Sequence, residues 1–543
     1  MEKRRVFLQN ALLTITVTLL LRLVFTAFRV SVSNRVGAEC MGLYQLTFAV
    51  YNVSVTLATS GVQFAATRLV AQKFAHDGAR SCGDVMRCCL LYSVAFGSLS
   101  MVLVYAFSEP IGVRLLSDRR TVASLRAFSV SLPFIAASSA VSGYFYAIRK
   151  VSLTVVARVL EQLVQIASFF AMMARITEKT VELSCCALVA STACSEIVSA
   201  LFLLCFYFFR REENFRKKSV GIFGKVVSIA FSAAAGAYLK SGLQTVENVM
   251  IPAGFRRYGA SESGALSGYG TLCSMVLPIL MFPSIVPLSL AGLLIPEFTE
   301  AQERGRQAQI RRSAGLSIRL SMLFSLFVST AFILYGRRLG KFLYHDAQAG
   351  AMMEMMAPLI PFWYIDQISD GILKGLGEYK RVLCYSSIDT VVSIIMIYFL
   401  VPRFGLYGYI SVVYVSTMLN ACLGIRRTLK LSQNKLQFRQ DVLLPFLAAL
   451  LSIGTVRIVT ESIFLKLPPA IALGLQLSLS LLLFLTGLMF SGGAMARDLH
   501  EMKKWIRCGG EKRHFRIRMR IHNSQSDIHR KNGGTTLCRR QNN

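Results

Sequence analysis

Thr18-Leu-Leu-Leu-Arg-Leu-Val-Phe-Thr-Ala-Phe-Arg29 lies inside an apolar stretch that runs from Val6 to Val32. At 1.5 Å per residue this stretch is long enough to cross a hydrocarbon core of roughly 30 Å. Two arginines nonetheless stand within it. A guanidinium exposed to lipid costs from about 2.5 to well over 10 kcal/mol, so the side that carries Arg22 and Arg29 is expected to face protein or water. Seven steps of 100° return to within about 20° of the start, which puts both arginines on one helix face, with Thr18 one turn before Arg22. The helix therefore carries a positive stripe at mid-membrane.

Composition extends this reading to the whole chain. The 543 residues have a mean hydropathy of +0.51, and they are 54% hydrophobic and only 16% charged, whereas soluble domains are about a quarter charged. A net charge of +31 raises nucleic-acid binding as a class, and the placement of the 60 Lys and Arg residues decides against it. They fall mostly between apolar runs and at the two ends, as expected of loops facing a cytoplasm. Runs of spanning length occur at 7–30, 43–66, 85–107, 123–148, 151–174, 183–209, 221–250, 265–295, 313–335, 354–376, 382–401, 405–425, 441–464 and 468–490, which gives about fourteen helices. An even number puts both termini on one side. With Lys3-Arg4-Arg5 inside, the basic residues concentrate in the inner loops and tails, so the expected setting is a bacterial cytoplasmic membrane with both termini cytoplasmic.

The first run continues through Arg29 into polar residues with nothing like a signal-peptidase site, which marks a retained helix. The 13 cysteines lie mainly inside spans without a CxxC and read as small apolar fillers. All 6 histidines fall in loops or the tail, which removes an intramembrane histidine relay. No Walker-type phosphate loop occurs. Neither a catalytic nor a metal-ligating set is expected, and no cofactor.

Internal similarity suggests duplication. Arg35-Val-Gly-Ala38 returns as Arg257-Tyr-Gly-Ala260, 222 residues on, and Pro133-Phe134 with Gly143 returns as Pro361-Phe362 with Gly371, 228 residues on. Two matches in order, at equivalent places in sets of six helices, predict two lobes related by an axis near the membrane normal. The expected fold is thus an all-α polytopic membrane protein: residues 1–215 as the first lobe, 216–430 as the second, 431–494 as two added helices, and 495–543 as a disordered, basic cytoplasmic tail. That tail and the basic loop from Arg210 to Lys225 are expected to lie on anionic head groups. RNA binding by the tail is disfavoured because it lacks interleaved aromatics, and the expected state is a monomer.

Polar stripes within the spans supply the candidate site. Lys240, Gln244 and Glu247 recur at i, i+4 and i+7, and the repeat sets Gln244 opposite Arg22. Arg22, Arg29, Lys240, Gln244 and Glu247 are therefore the expected substrate-binding set, facing a cleft between the lobes. Glu161 falls on Asp389 at the 228 offset, and Asp366 and Asp370 lie one turn apart. These four acids are the candidates for coupling to Na⁺, H⁺ or the membrane potential. Arg158 and Glu161 also have the spacing of an i, i+3 ion pair. Pro278, Pro283, Pro287 and Pro296 in one span predict a kinked or broken helix.

Several stretches resemble a known family: Arg22-Leu-Val-Phe-Thr-Ala-Phe-Arg29, Gly37-Ala-Glu-Cys-Met-Gly-Leu-Tyr-Gln45, Thr59-Ser-Gly-Val-Gln-Phe-Ala-Ala-Thr-Arg-Leu-Val-Ala71, Ser241-Gly-Leu-Gln-Thr-Val-Glu-Asn-Val-Met-Ile-Pro252, Phe282-Pro-Ser-Ile-Val-Pro-Leu-Ser-Leu-Ala-Gly-Leu-Leu-Ile-Pro-Glu297 and Leu373-Lys-Gly-Leu-Gly-Glu378. Together they resemble the stage V sporulation protein B group, in the polysaccharide-transporter branch of the multidrug/oligosaccharidyl-lipid/polysaccharide (MOP) flippase superfamily, which also holds the lipid II flippases. The likeness covers residues 1 to about 490 and includes the spacing between motifs. It implies a bundle of two lobes with a central cavity that opens alternately to each face. The implied cargo is a polyprenyl-pyrophosphate-linked saccharide, such as lipid II or a related cell-wall precursor. It also implies that Arg22 and Arg29, at the matching places, meet the pyrophosphate. Where that group usually has a glycine between these positions, this chain has Phe25 and Thr26.

Two other classes compete. A cation-coupled drug exporter of the same superfamily would place carboxylates in its first-lobe cavity, yet the first helix has no acid before Glu39 once the N-terminal Glu2 is passed. A polytopic glycosyltransferase or ligase would need acid, base or metal groups on sizeable outer loops, and no DxD or paired histidine occurs there.

Overall fold

The computed structural model describes residues 2–77, 82–176, 180–209, 221–434, 437–461 and 468–490. The basic loop at 210–220 and the tail from residue 491 lie outside them. Among the described residues every regular element is helical. The longer ones are α1 (Glu2–Thr59), α2 (Val62–Asp77), α3 (Gly83–Ala106), α4 (Thr121–Ser129), α5 (Leu132–Ala147), α6 (Val151–Arg175), α7 (Val181–Phe209) and α8 (Ile222–Arg257). They continue as α9 (Glu262–Gly270), α10 (Leu277–Met281), α11 (Ile285–Glu303), α12 (Gln307–Tyr344), α13 (Ala347–Met356), α14 (Ile360–Gly375), α15 (Tyr379–Ser432), α16 (Leu444–Glu461) and α17 (Pro469–Phe490). Nine helices among the described residues are long and apolar enough to cross a membrane, and the bent pair α4 and α5 adds a tenth. Both α1 and α15 are two helices joined across a sharp break, at Gly37 and Gly405, so α15, counted once, contains two segments. Exposed Leu99, Val102, Ile395 and Phe399 give these helices the apolar outer surface that suits hydrocarbon.

The chain divides into two compact units, Met1–Lys435 and Leu436–Asn543. In the second, α16 and α17 pack together, and Gln476 donates from Nε2 to Thr460 Oγ1 at 3.0 Å, which satisfies two buried polar groups in an apolar pair.

Within the first unit the backbone repeats itself. Left-handed residues occur at Gly37 and Gly259, 222 apart, and at Ser117 with His345 and Arg149 with Gly377, each pair 228 apart. Asp118 Oδ1 accepts from the Arg120 amide at 2.9 Å, and Asp346 Oδ1 accepts from the Gln348 amide at 2.7 Å, the same turn chemistry at the same offset. A Cβ on Gly143 would come within 2.6 Å of Gln63 O, and one on Gly371 within 2.9 Å of Ala291 Cα. Gln63 and Ala291 are themselves 228 apart.

The two copies meet at a mutual contact. A Cβ on Gly42 would fall on the carbonyl oxygen of Leu266, and one on Gly270 on that of Ala38. Both pairs, 42 with 270 and 38 with 266, keep the 228 offset, so each copy offers the other the same patch, as at a two-fold interface. Only glycine allows backbones this close. Around it, Asn34 Nδ2 donates to Leu343 O at 2.7 Å, Arg256 Nη1 to Ser117 O at 3.0 Å and Ser274 Oγ to Met41 O at 3.3 Å. One end of the unit is thereby laced shut between the copies. At that end Arg120 pairs with Asp118 and Glu39, each at 2.8 Å, and these hydrogen bonds hold the guanidinium above its ordinary range.

Candidate functional site

Proline and short-range hydrogen bonding set the inner geometry. From Glu262 to Glu303 the chain passes through α9, a wide turn at Thr271–Val276, α10, a tight turn at Phe282–Ser284 and α11. Pro278, Pro283 and Pro287 remove amides that a regular α-helix would use, and the run stays helical through an irregular middle instead of separating. Two carbonyls of that middle take side-chain donors from other helices. Tyr364 Oη donates to Leu280 O at 3.4 Å, and Arg22 Nη2 donates to Met281 O at 3.4 Å.

Arg22 thus reaches from the first copy to the irregular helix of the second. Among the described residues that long bond is the one hydrogen bond of its guanidinium, and no carboxylate lies within ion-pair distance. Arg29, two turns further along, stands over the Phe25 ring at 5.7 Å and within electrostatic reach of Tyr44 and Tyr344. It too has no carboxylate partner among the described residues. A cation held against π faces and hydroxyls keeps most of its donors available.

A cavity of about 1400 Å³ opens between α2, α8, α14 and α15. Its first-copy wall carries Thr56, Thr59, Gln63, Thr67, Arg68 and Ser139; its second-copy wall carries Lys240, Asp366, Asp370, Lys374 and Asn420. Lys374 Nζ pairs with Asp370 Oδ2 at 3.2 Å, and Asn420 Nδ2 donates to Asp366 Oδ2 at 3.0 Å. A second cavity, about 290 Å³, is lined by Glu247, Met281, Trp363, Ser393, Tyr409 and Ser416. Ser416 Oγ donates to Asp389 Oδ1 at 2.6 Å, and Asp389 lies within electrostatic reach of both Glu247 and Lys240. Glu247 and Ser416 thus line one small space, with Asp389 bonded to Ser416 and within electrostatic reach of Glu247. Among the described residues no set of three or more metal-ligating side chains forms a metal site.

The candidates named from the sequence thus separate by location. Lys240, Asp366 and Asp370 line the large cavity, while Glu247 lines the small one with Asp389 bonded behind it. Arg22 touches the wall of the small cavity through Met281. Gln244 is exposed, with no hydrogen bond among the described residues. Arg158 lies within electrostatic reach of Glu161, though no salt bridge within 4 Å joins them among the described residues, and Glu161 also sits beside Ser199 and Glu196 of α7. Sequence reasoning passed over Arg68, Lys374 and Asn420 in the large cavity, and over Glu196, which receives the Tyr51 hydroxyl. An acid within the apolar run 183–209 was the signal for the last.

Comparison places this arrangement among known proteins. A family described as polysaccharide biosynthesis protein matches residues 7–302, and one described as MatE matches residues 263–399. Stage V sporulation protein B of Bacillus subtilis (strain 168) is 21% identical over 414 residues, covering 75% of this chain and 80% of that one. Sporulation protein YkvU of the same organism is 19% identical over 277 residues, covering 50% and 61%. Among solved structures, the lipid II flippase MurJ in an inward closed conformation aligns with a TM-score of 0.66 at 12% identity, covering 90% of this chain and 99% of that one. An inward-facing MATE family multidrug resistance transporter of the MOP superfamily aligns with a TM-score of 0.62 at 14% identity, covering 77% and 96%.

Proposed function

Because the chain belongs to the polysaccharide biosynthesis protein family and has the fold of MOP-superfamily transporters, we propose that it flips a polyprenyl-diphosphate-linked saccharide, lipid II or a related precursor, across the cytoplasmic membrane by alternating access. The observation that carries this reading is the pair of guanidiniums inside an apolar run, Arg22 and Arg29, without carboxylate partners among the described residues. A guanidinium is planar, always charged and able to grip a phosphate with two donors. In a drug exporter for cations the same groups would repel the cargo.

The head group enters the large cavity, whose hydroxyl and amide lining suits a sugar, while the isoprenoid tail stays in lipid. Diphosphate then draws Arg22 from its long bond to Met281 O, replacing a weak neutral acceptor by a charged one. Release on the far side requires the Gly42 and Gly270 seal to part. The oxygen cluster of Glu247, Asp389 and Ser416 borders the same Met281, so a Na⁺ or H⁺ bound there would compete with or prepare the Arg22 contact. The cytoplasmic placement of both termini, the monomeric state and the contact of the basic segments with anionic lipid belong to the same proposal.

The test is reconstitution. Purified protein in liposomes, given a fluorescent undecaprenyl-diphosphate-linked sugar in both leaflets, is expected to make the outer pool and then the inner pool accessible to a membrane-impermeant quencher. Vesicles that equilibrate no faster than empty ones, yet accumulate cationic drugs, contradict the reading.

A further inference from the structure

The passage between the copies holds more than one station for an anion. Gly61 of the first copy packs against the Ala230 carbonyl of α8, which fixes the relative height of α2 and α8. From that contact Arg68 lies seven residues toward one end of the cavity, about 10 Å, and Lys240 ten residues the other way, about 15 Å, at 1.5 Å per residue. The two cations therefore differ in depth by about 25 Å, too far to hold one diphosphate together. By the 222 offset, which pairs Arg22 with Gln244, Lys240 lies one turn before the level of Arg22, about 6 Å, with Arg29 about 10 Å beyond. The order inward is Arg68, Lys240, Arg22, Arg29.

Arg68 is exposed and lines the large cavity with no hydrogen bond or ion pair among the described residues. Its neighbour in the cavity Lys374, by contrast, is neutralised by Asp370. Thr67, one residue away, spends its hydroxyl on Gln63 O at 2.8 Å and Gly143 O at 3.1 Å, so α2 is pinned to α5 where Arg68 projects. An unpaired guanidinium on a braced helix at a cavity mouth concentrates anions and speeds their entry.

We propose that Arg68 is a capture site for phosphate-bearing lipid head groups, which hands a diphosphate inward to Lys240 and then to Arg22. This rests on the flippase reading above. Between Arg68 and Lys240 the head group crosses the hydroxyl- and amide-lined cavity, where water and these polar groups solvate it, and from Lys240 to Arg22 the step is short enough for one cation to take over from the other.

The experiment uses the full chain in phosphatidylcholine nanodiscs, with a fluorescent farnesyl diphosphate as probe and stopped-flow detection. Arg68→Gln is expected to lower the association rate about five-fold or more and to flatten its dependence on salt. Arg68→Lys is expected to stay within about two-fold of wild type. Arg22→Ala should leave association nearly unchanged and act on dissociation instead. Equal association rates for wild type and a stably folded Arg68→Gln overturn the capture role and leave the flippase reading standing. A wild-type chain that binds no diphosphate overturns both. Adding phosphatidylglycerol separates the two phosphate sources: if it abolishes the difference between wild type and Arg68→Gln, Arg68 is a bilayer-lipid contact and the capture role is overturned.

Discussion

The Arg22 guanidinium, partly buried within an apolar run, makes one 3.4 Å bond to a carbonyl and has no carboxylate within ion-pair distance among the described residues, which leaves most of its donors open to a ligand. Tyr51 and Glu196 show the other outcome, a buried acid satisfied by a hydroxyl from a neighbouring helix. Tyr51→Phe is expected to cost about 1–3 kcal/mol by leaving that acid without its donor, read as a lowered melting temperature in detergent. An unchanged melting temperature would mean that Glu196 draws its stability from elsewhere. Glu247→Gln and Asp389→Asn are expected to make flipping insensitive to a Na⁺ or pH gradient while leaving the uncoupled rate measurable, as liposome assays with imposed gradients would report. Persisting gradient dependence in both variants removes the small oxygen-lined cavity from the coupling role. Arg22, Arg29 and Lys240 were legible from sequence because a charge inside an apolar run is costly and so stands out. Arg68 was not, since a basic residue near the end of a run is what a loop-facing position ordinarily carries.

Helix breaks and glycine crossings are where the chain departs from simple spanning rods. The proline series announced an irregular helix, because a missing amide is a local property of the residue, although the run from Glu262 to Glu303 stays helical throughout. The meeting of Gly42 with Leu266 O, and of Gly270 with Ala38 O, left no such trace: a contact across 228 residues has no periodicity to read. Its physical consequence is testable on the element. Gly42→Val places side-chain atoms on the Leu266 carbonyl, and overpacking of this kind costs about 1–3 kcal/mol. The copies should part at the laced end, so that thiol cross-linking between Asn34→Cys and Leu343→Cys, placed where Asn34 meets the Leu343 carbonyl, is expected to be weaker in the Gly42→Val background than without it. Undiminished cross-linking would show that the seal does not depend on the glycine pair.

At the scale of the whole first unit, Met1–Lys435, backbone turns recur at a fixed offset, a self-complementary glycine patch joins the copies, and a large cavity opens between them. The copies share their turns at Ser117 and His345 and at Arg149 and Gly377, and an acid at Glu161 and Asp389, but most of their other cavity charges differ. The first copy supplies Arg22, Arg29 and Arg68, and the second supplies Lys240 with the acids Glu247, Asp366, Asp370 and Asp389. On the flippase reading proposed above, the arginines are expected to grip phosphate and the acids to tune when that grip is released. The most direct measurement is the outer-leaflet exposure of lipid II in cells where this protein is the only flippase, comparing the native chain with Arg22→Ala and Arg29→Ala at equal membrane insertion. The account predicts export by the native chain and a loss of about ten-fold or more in each variant, the size expected when a charge-assisted phosphate contact is removed. Export by both variants at the native rate would contradict it.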